Sequence, residues 1–260
     1  MRIAILGDIH ANLPALRAVL DDAAAIGCDA VWSVGDVVGR GPHPNEVVSE
    51  LQRQEILTVQ GNWDEAVAME RDAPGCVWED PTAEQLGLAS LQWTIEALTE
   101  EKRSWLRKLP MTHRFAIDGR SVFLFHGTPL RQAEYLWENR PSRHFARIAE
   151  DESDDLFAFG HTHESFHRSL MGSHFVAVGS VGCSPDPVPH ARYSVVYLTA
   201  SDLVVGFRSV EYDHESVARD QRDSGLDPSL LFGRAPRPVA RSASVGLAGD
   251  LLPADGAQAG

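Results

Sequence analysis

Short apolar runs that end near glycine alternate with stretches of helical period through the first quarter of the chain. Residues 3–6 read as a buried strand. Residues 14–26 carry apolar positions at helical spacing, with Asn12 before them as a cap and Gly27 after them as a stop. The signal recurs at residues 30–34, ahead of a loop through Gly41 and a helix near 45–53, and again at 56–59, ahead of Gly61 and a helical stretch from about Asp64. Strands that alternate with helices predict a parallel sheet.

Residues 82–109 are charged and helical in period, with Leu86, Leu91, Ile95 and Leu98 on one side and a second start at Thr99, which predicts two helices. Beyond Pro110 the period shortens to alternation. Residues 113–117 and 121–125 flank Asp118-Gly119, a hairpin signal, and further strands are predicted at 156–159, 166–170, 174–178, 193–198 and 203–207. A short helix near 215–223 ends the patterned region. Residues 225–260 are rich in Pro, Ala, Gly and Ser without sustained period, so one α/β domain over 1–224 with a mobile tail over 225–260 is expected.

Composition narrows the class. With 43% hydrophobic and 8% aromatic residues, the 260-residue chain can bury a sizeable core and is unlike a disordered, collagenous or disulfide-rich sequence. Cys28, Cys76 and Cys183 form no CxxC pair and read as buried thiols. The run at residues 3–6 is too short for a signal-peptide core, and none reaches the roughly eighteen apolar residues of a membrane span, so a cytoplasmic protein without a membrane partner is expected. The 37 acidic against 23 basic side chains leave a net charge of −14, which disfavours long nucleic acid. A small phosphoester can still enter where a local cation neutralises it.

That cation has candidate ligands. Gly7-Asp8-Ile9-His10, Gly35-Asp36, Gly61-Asn62-Trp63-Asp64, His126-Gly127 and Gly160-His161-Thr162-His163 each follow an apolar run, at the strand ends where α/β sheets gather ligands. On extended backbone, residues at i and i+2 point the same way, so each Asp-x-His or His-x-His segment offers two groups to one cluster. Imidazole, carboxylate and amide together suit borderline divalent ions such as manganese, iron or zinc. The seven side chains Asp8, His10, Asp36, Asn62, His126, His161 and His163 exceed one tetrahedral site and match two ions sharing a carboxylate.

In this order, GDIH, GD, GNWD, HG and GHTH resemble the motifs of the calcineurin-like metallophosphoesterase superfamily, over roughly the first two-thirds of the chain. The resemblance implies a four-layer α/β/β/α sandwich with a helical insertion near 82–109. It implies that Asp8, His10 and His163 hold one metal, that Asp36 bridges, and that Asn62, His126 and His161 hold the other. The GDVVGRGPHP loop, HGTP and the segment from Gly179 to Gly182 are most similar to the small prokaryotic phosphodiesterases, which are often manganese-activated. Mn²⁺ is therefore the implied ion, with Fe²⁺, Zn²⁺ and Ni²⁺ as other fits. The implied reaction is in-line attack of a metal-bridging hydroxide on phosphorus, with Asp36, Asn62 and His126 as the catalytic set and a 2′,3′-cyclic nucleotide as the favoured substrate. Hydrolysis of a dinucleoside polyphosphate, nucleotide phosphomonoesterase activity, and a metal-binding scaffold without catalysis are the alternatives.

One position departs from the pattern. Many members carry histidine after the asparagine of the third motif, and here it is Trp63. Without that acid a poor leaving group departs slowly, which favours diesters over monoesters. Arg40 could steady a phosphate oxygen and His43 could replace the acid, or both could be solvated loop residues. Thr128 could hydrogen-bond phosphate or stabilise a turn, Asp64 could orient the Asn62 loop or cap a helix, and the Gly179–Cys183 stretch could offer N–H groups to an anion. Trp78, Trp93, Trp105 and Trp137 could line a base pocket or pack a core. Homodimerisation through the 82–109 helices is also expected from their length.

Overall fold

Strand β1 (Arg2–Leu6) runs into a loop ending at Asn12, whose side-chain oxygen accepts the Ala15 N–H and starts α1 (Leu13–Ala25). The same unit repeats as β2 (Ala30–Ser33), α2 (Pro44–Arg53), β3 (Leu57–Thr58) and α3 (Asn62–Ala68). Helix α4 (Pro81–Ala97) is capped by Asp80, which accepts from the Thr82 and Ala83 N–H groups, and α5 (Glu100–Lys108) by Thr99, the residue at which a second start is predicted. Each cap satisfies donors that the helix itself cannot. The computed structural model describes residues 1–183 and 188–232.

The second half supplies β4 (Thr112–Ile117), β5 (Arg120–Phe125), α6 (Ser142–Glu152), β6 (Leu156–Phe159), β7 (Ser165–Leu170), β8 (Ser173–Val178), β9 (Ala191–Leu198), β10 (Leu203–Val210), α7 (His214–Asp223) and α8 (Ser229–Phe232). The strands form two five-stranded sheets, in the orders β10-β9-β1-β2-β3 and β4-β5-β6-β8-β7. The predicted parallel pairing holds for β1 with β2 and β2 with β3, while β9 joins β1 antiparallel and makes that sheet mixed. In the second sheet β5, β6 and β8 run parallel, flanked by the β4–β5 and β7–β8 hairpins.

Helix α6 is absent from the sequence-based expectation. Only Phe145, Ile148 and Ala149 supply its apolar stripe, among charged residues, and that is too short a pattern to stand out. It is the crossover that allows β5 and β6 to pair in parallel. Within the segment expected as a tail from Gly225, Leu226, Leu230 and Leu231 are buried and α8 forms; the rest of that segment, 233–260, lies outside the described residues.

Alternate side chains of the central strands face different layers. Ile3 and Ile5 point between the sheets, toward Val34, Val122, Leu124 and Val176, whereas Ala4 and Leu6 face the layer of α1 and α2. Strands covered on both sides read as continuous apolar runs, which is why β1 was legible. On the far face of the second sheet, Phe145 of α6 meets Phe157, Phe159 and Phe175. Helices α4 and α5 pack beside α3 on the outer side of the first sheet. No described helix is long and apolar enough to cross a membrane.

Phe157 is fully buried and stacks on Phe175 with ring centroids 4.7 Å apart. Phe157→Ala should cost about 3–5 kcal/mol, counting the lost transfer energy and the cavity, and lower the calorimetric midpoint by about 10 °C. An unchanged midpoint would contradict this packing of α6 on the second sheet.

Candidate metal centre

The parallel strands of both sheets end at one rim, and the chain turns there within a few residues. Asp8 and His10 follow β1, Asp36 follows β2, Asn62 opens α3 just after β3, His126 follows β5, and His161 and His163 follow β6. The turns are left-handed: Asp8, His10, Asp36, His161 and His163 all have φ between +47° and +67°. This corrects the extended backbone assumed for the Asp-x-His and His-x-His segments. A non-glycine residue in that region costs on the order of 1 kcal/mol, so the surrounding structure must hold each one. Backbone bonds do so: Asp8 N–H donates to Gly35 O at 3.0 Å, His10 N–H to Asp36 O at 2.9 Å, and Gly182 N–H to Asp8 O at 2.9 Å. A side chain at Gly182 would meet the Ile9 carbonyl oxygen at 1.8 Å, so only glycine permits that approach.

The left-handed turns sort the side chains into two groups of three. Asp8, His10 and His163 place their candidate ligand atoms within 4.8 Å of one another, as do Asp36, His126 and His161. His161 and His163, two residues apart, thus join different groups. Within the first group His10 Nε2 faces His163 Nε2 at 3.2 Å, and Asp8 Oδ1 lies 3.4 Å from His163 Nε2. Asp36 belongs spatially to both: its Oδ2 is 3.3 Å from His126 Nε2 and 3.7 Å from His10 Nε2. Its Oδ1 accepts the Trp63 N–H at 2.9 Å, which fixes the carboxylate. A Cβ on Gly61 would lie 2.1 Å from that Oδ1, so glycine there leaves the carboxylate its place.

Several buried atoms here lack hydrogen-bond partners, and a bound cation would account for them. Asn62 Nδ2 donates to Pro74 O at 2.8 Å, while its Oδ1 is buried and unpaired. His126 Nδ1 donates to Val34 O at 2.8 Å, which leaves a lone pair on the unpaired Nε2 beside Asp36. His161 Nε2 is likewise buried without a partner. Orphaned buried acceptors of this kind are costly and rare. The donor set, imidazoles with carboxylate and amide oxygens, fits two borderline divalent ions.

Protonation responds to the same crowding. Burial penalises a charged His126, yet Asp36 and Asp8 outweigh it and raise its pKa to about 9; burial likewise opposes charge on His163, but Asp8 and Cys183 raise it to about 10. His10 and His161 are pushed well below the usual histidine value, first by burial and then by neighbouring cationic groups. Burial alone would raise Asp8, but His163 and His126 hold it below the ordinary carboxylate range. Burial and Asp36 push Asp64 up to about 7.

The remaining sequence candidates separate clearly. The Arg40 guanidinium lies 5.3 Å over the Trp63 ring and, among the described residues, donates to Cys183 Sγ at 3.6 Å and to Leu230 O at 3.5 Å, both long bonds. His43 does not join the cluster: its Nε2 pairs with Asp220 Oδ2 of α7 at 3.1 Å, which ties the start of α2 to α7. Trp63 is 1% exposed and wedged edge-on against His10 and Trp78, which makes it the wall behind His10. Thr128 spends its hydroxyl on Arg131 O and Glu134 within a turn. Asp64 both caps α3, accepting from Gly61 N–H, and anchors the Asp36 loop, accepting from Val37 and Val38 N–H. The Gly179–Cys183 stretch turns its Val181 and Gly182 N–H groups to the Gly7 and Asp8 carbonyls, which leaves those two N–H groups unavailable to an anion.

Tyr135 is the residue the sequence reading missed. It stacks on His161 with centroids 4.0 Å apart, and its only linear signal is the Tyr-x-Trp spacing in the loop after His126.

Comparison with known proteins agrees with this architecture. An uncharacterized protein of Methanocaldococcus jannaschii is 27% identical over 89% of this chain and 98% of its own length. A hypothetical protein from Pyrococcus horikoshii, 23% identical, superposes with a TM-score of 0.76 over 90% of this chain and 99% of its own, which shows the shared fold. A metallophosphoesterase from Sphaerobacter thermophilus, 29% identical, gives 0.69 over 90% and 98%. The pattern described as the calcineurin-like phosphoesterase superfamily domain matches residues 1–202, and with most of its length so matched this chain belongs to that superfamily.

Proposed function

We propose that the chain is a dinuclear metal-dependent phosphodiesterase acting on small phosphodiesters, with a 2′,3′-cyclic nucleotide as the favoured substrate and Mn²⁺ as the favoured ion. The observation that carries this reading is the placement of Asp36 Oδ2 within reach of both His10 and His126, between two three-residue groups. Asp8, His10 and His163 would hold one ion and Asn62, His126 and His161 the other, with Asp36 within reach of both groups. Two divalent ions so placed acidify water into a nucleophile at neutral pH and stabilise negative charge growing on phosphoryl oxygens.

The chain's own groups then divide the work. Asp36, fixed through Oδ1 by the Trp63 N–H, sets the spacing of the two groups. His126 presents Nε2 because its Nδ1–H is spent on Val34 O, and Asn62 presents Oδ1 because its amide donates to Pro74 O. Arg40 steadies the phosphate, since its long bonds to Cys183 and Leu230 are weak and readily exchanged for charged oxygens. Position 63 supplies no proton to a leaving group, because a buried indole stands there. That favours diesters, whose leaving oxygen departs with less help than that of an alkyl monoester.

Hydrolysis of bis-p-nitrophenyl phosphate should require an added divalent ion, and Asp36→Ala should lower kcat/KM roughly 10²–10³-fold with the fold retained by circular dichroism. Absence of turnover with Mn²⁺, Ni²⁺, Fe²⁺ and Zn²⁺ would point instead to a metal-binding scaffold. Across a panel, kcat/KM should be greatest for 2′,3′-cyclic AMP; faster turnover of diadenosine tetraphosphate or of AMP would replace the substrate class. Arg40→Ala should raise KM about tenfold, in line with loss of one charge-assisted hydrogen bond, and an unchanged KM would remove Arg40 from substrate binding.

A further inference from the structure

An aromatic pair stands beside the candidate metal ligand His161. Tyr135 lies against the His161 imidazole at 4.0 Å and 29°, and Trp137 stacks on Tyr135 at 5.0 Å with planes inclined by only 3°. Leu136 between them is buried with the phenylalanine cluster of the second sheet. Both rings are half-buried. Among the described residues, Trp137 has no other ring neighbour and its indole N–H has no hydrogen-bond partner.

A purely structural role would need only the first ring. Tyr135 alone suffices to hold the His161 imidazole in place, whereas Trp137 extends the stack outward from it without bracing any of the seven candidate ligands. The charge of the chain points the same way. With a net charge of −14, the protein as a whole repels a nucleotide, and neutral surface adds affinity beyond that of the metal ions and Arg40 without opposing that charge. Flat aromatic rings provide it, since every base has a π-face and stacking on a side chain is worth about 1–3 kcal/mol per base.

We propose that Tyr135 and Trp137 form the stacking platform for the heterocycle of the substrate, so that the site selects phosphoesters that carry a purine or pyrimidine. The proposal takes from the phosphodiesterase reading only that the phosphate sits at the metal centre. Trp137 is the outer ring that meets the base, and Tyr135 is the ring that links it to the His161 side of the site.

The test is calorimetric titration of the Mn²⁺-loaded protein with AMP and with ribose 5-phosphate, which differ in the base alone. AMP should bind about tenfold more tightly than ribose 5-phosphate, the lower part of the range expected for one stacked base. Trp137→Ala should abolish most of that difference and leave ribose 5-phosphate binding unchanged, and Tyr135→Phe should preserve the difference. Trp137→Phe, which keeps a ring, should retain most of it and decides the matter if the alanine variant does not fold. Equal affinity for the two ligands, absence of AMP binding, or an equal loss for both ligands in Trp137→Ala would each overturn the platform. A preference for AMP that depends on Trp137, in a protein without diester hydrolysis, would uphold the platform and reject the proposed reaction, so the two can fail separately.

Discussion

Two carboxylates and four imidazoles share a space from which water is almost excluded, and the rest of the fold is arranged around that crowding. Asp8 and Asp36 are 0% and 1% exposed. A buried charge costs several kcal/mol unless it is opposed nearby. The imidazoles split in response, with His126 and His163 drawn toward the charged form by the carboxylates and His10 and His161 driven toward the neutral form by burial. This is the behaviour of a site short of positive charge, and two divalent cations would supply it at the point where Asn62 Oδ1 and His161 Nε2 have no other partner.

Such a site has to be assembled from both sheets. Three parallel strand ends of the first sheet bring Asp8, His10, Asp36 and Asn62, and two of the second bring His126, His161 and His163. The His126–Val34 bond joins the sheets directly beside the cluster. Left-handed backbone at five of the seven positions turns the side chains inward two to four residues beyond each strand end, and the carbonyls of Gly35, Asp36 and Val37 hold the β1 loop in that shape. Strain at the rim is thus balanced by a ladder that continues the β1–β2 pairing beyond the strands themselves.

The net charge of −14 disfavours long polyanions, and two divalent ions at the candidate ligand groups would place positive charge at one point, beside Arg40. Arg40 itself is held between Trp63, Cys183 and the carbonyl of Leu230, so the C-terminal segment through α8 contributes to the wall of the site. That contribution was invisible in a stretch rich in Pro, Gly and Ser, because its three buried leucines only acquire meaning once Cys183 and Arg40 are beside them.

Much of the architecture was legible because its signals are local. Strands buried on both faces leave unbroken apolar runs, helices begin at Asn12, Asp80 and Thr99 with side chains that accept their own first N–H groups, and Asp118-Gly119 marks its hairpin through positive φ at both residues. Helix α6 escaped because three apolar residues make too weak a period, and the antiparallel arrival of β9 beside β1 escaped because pairing partners so distant in sequence leave no pattern in either strand. By itself, then, the sequence determined the chemistry: which ligand types exist, that each follows a strand, and that glycine stands beside them. The grouping of His163 with Asp8 and of His161 with Asp36, which the resemblance of the motifs implies, follows from no local spacing and is realised only in tertiary structure, which alone ties His43 to Asp220, buries Trp63 and stacks Tyr135 on His161. The reason is physical. Turn and strand propensities are set by neighbours along the chain, whereas the meeting of side chains is set by how two sheets pack, and no short stretch of sequence contains both partners.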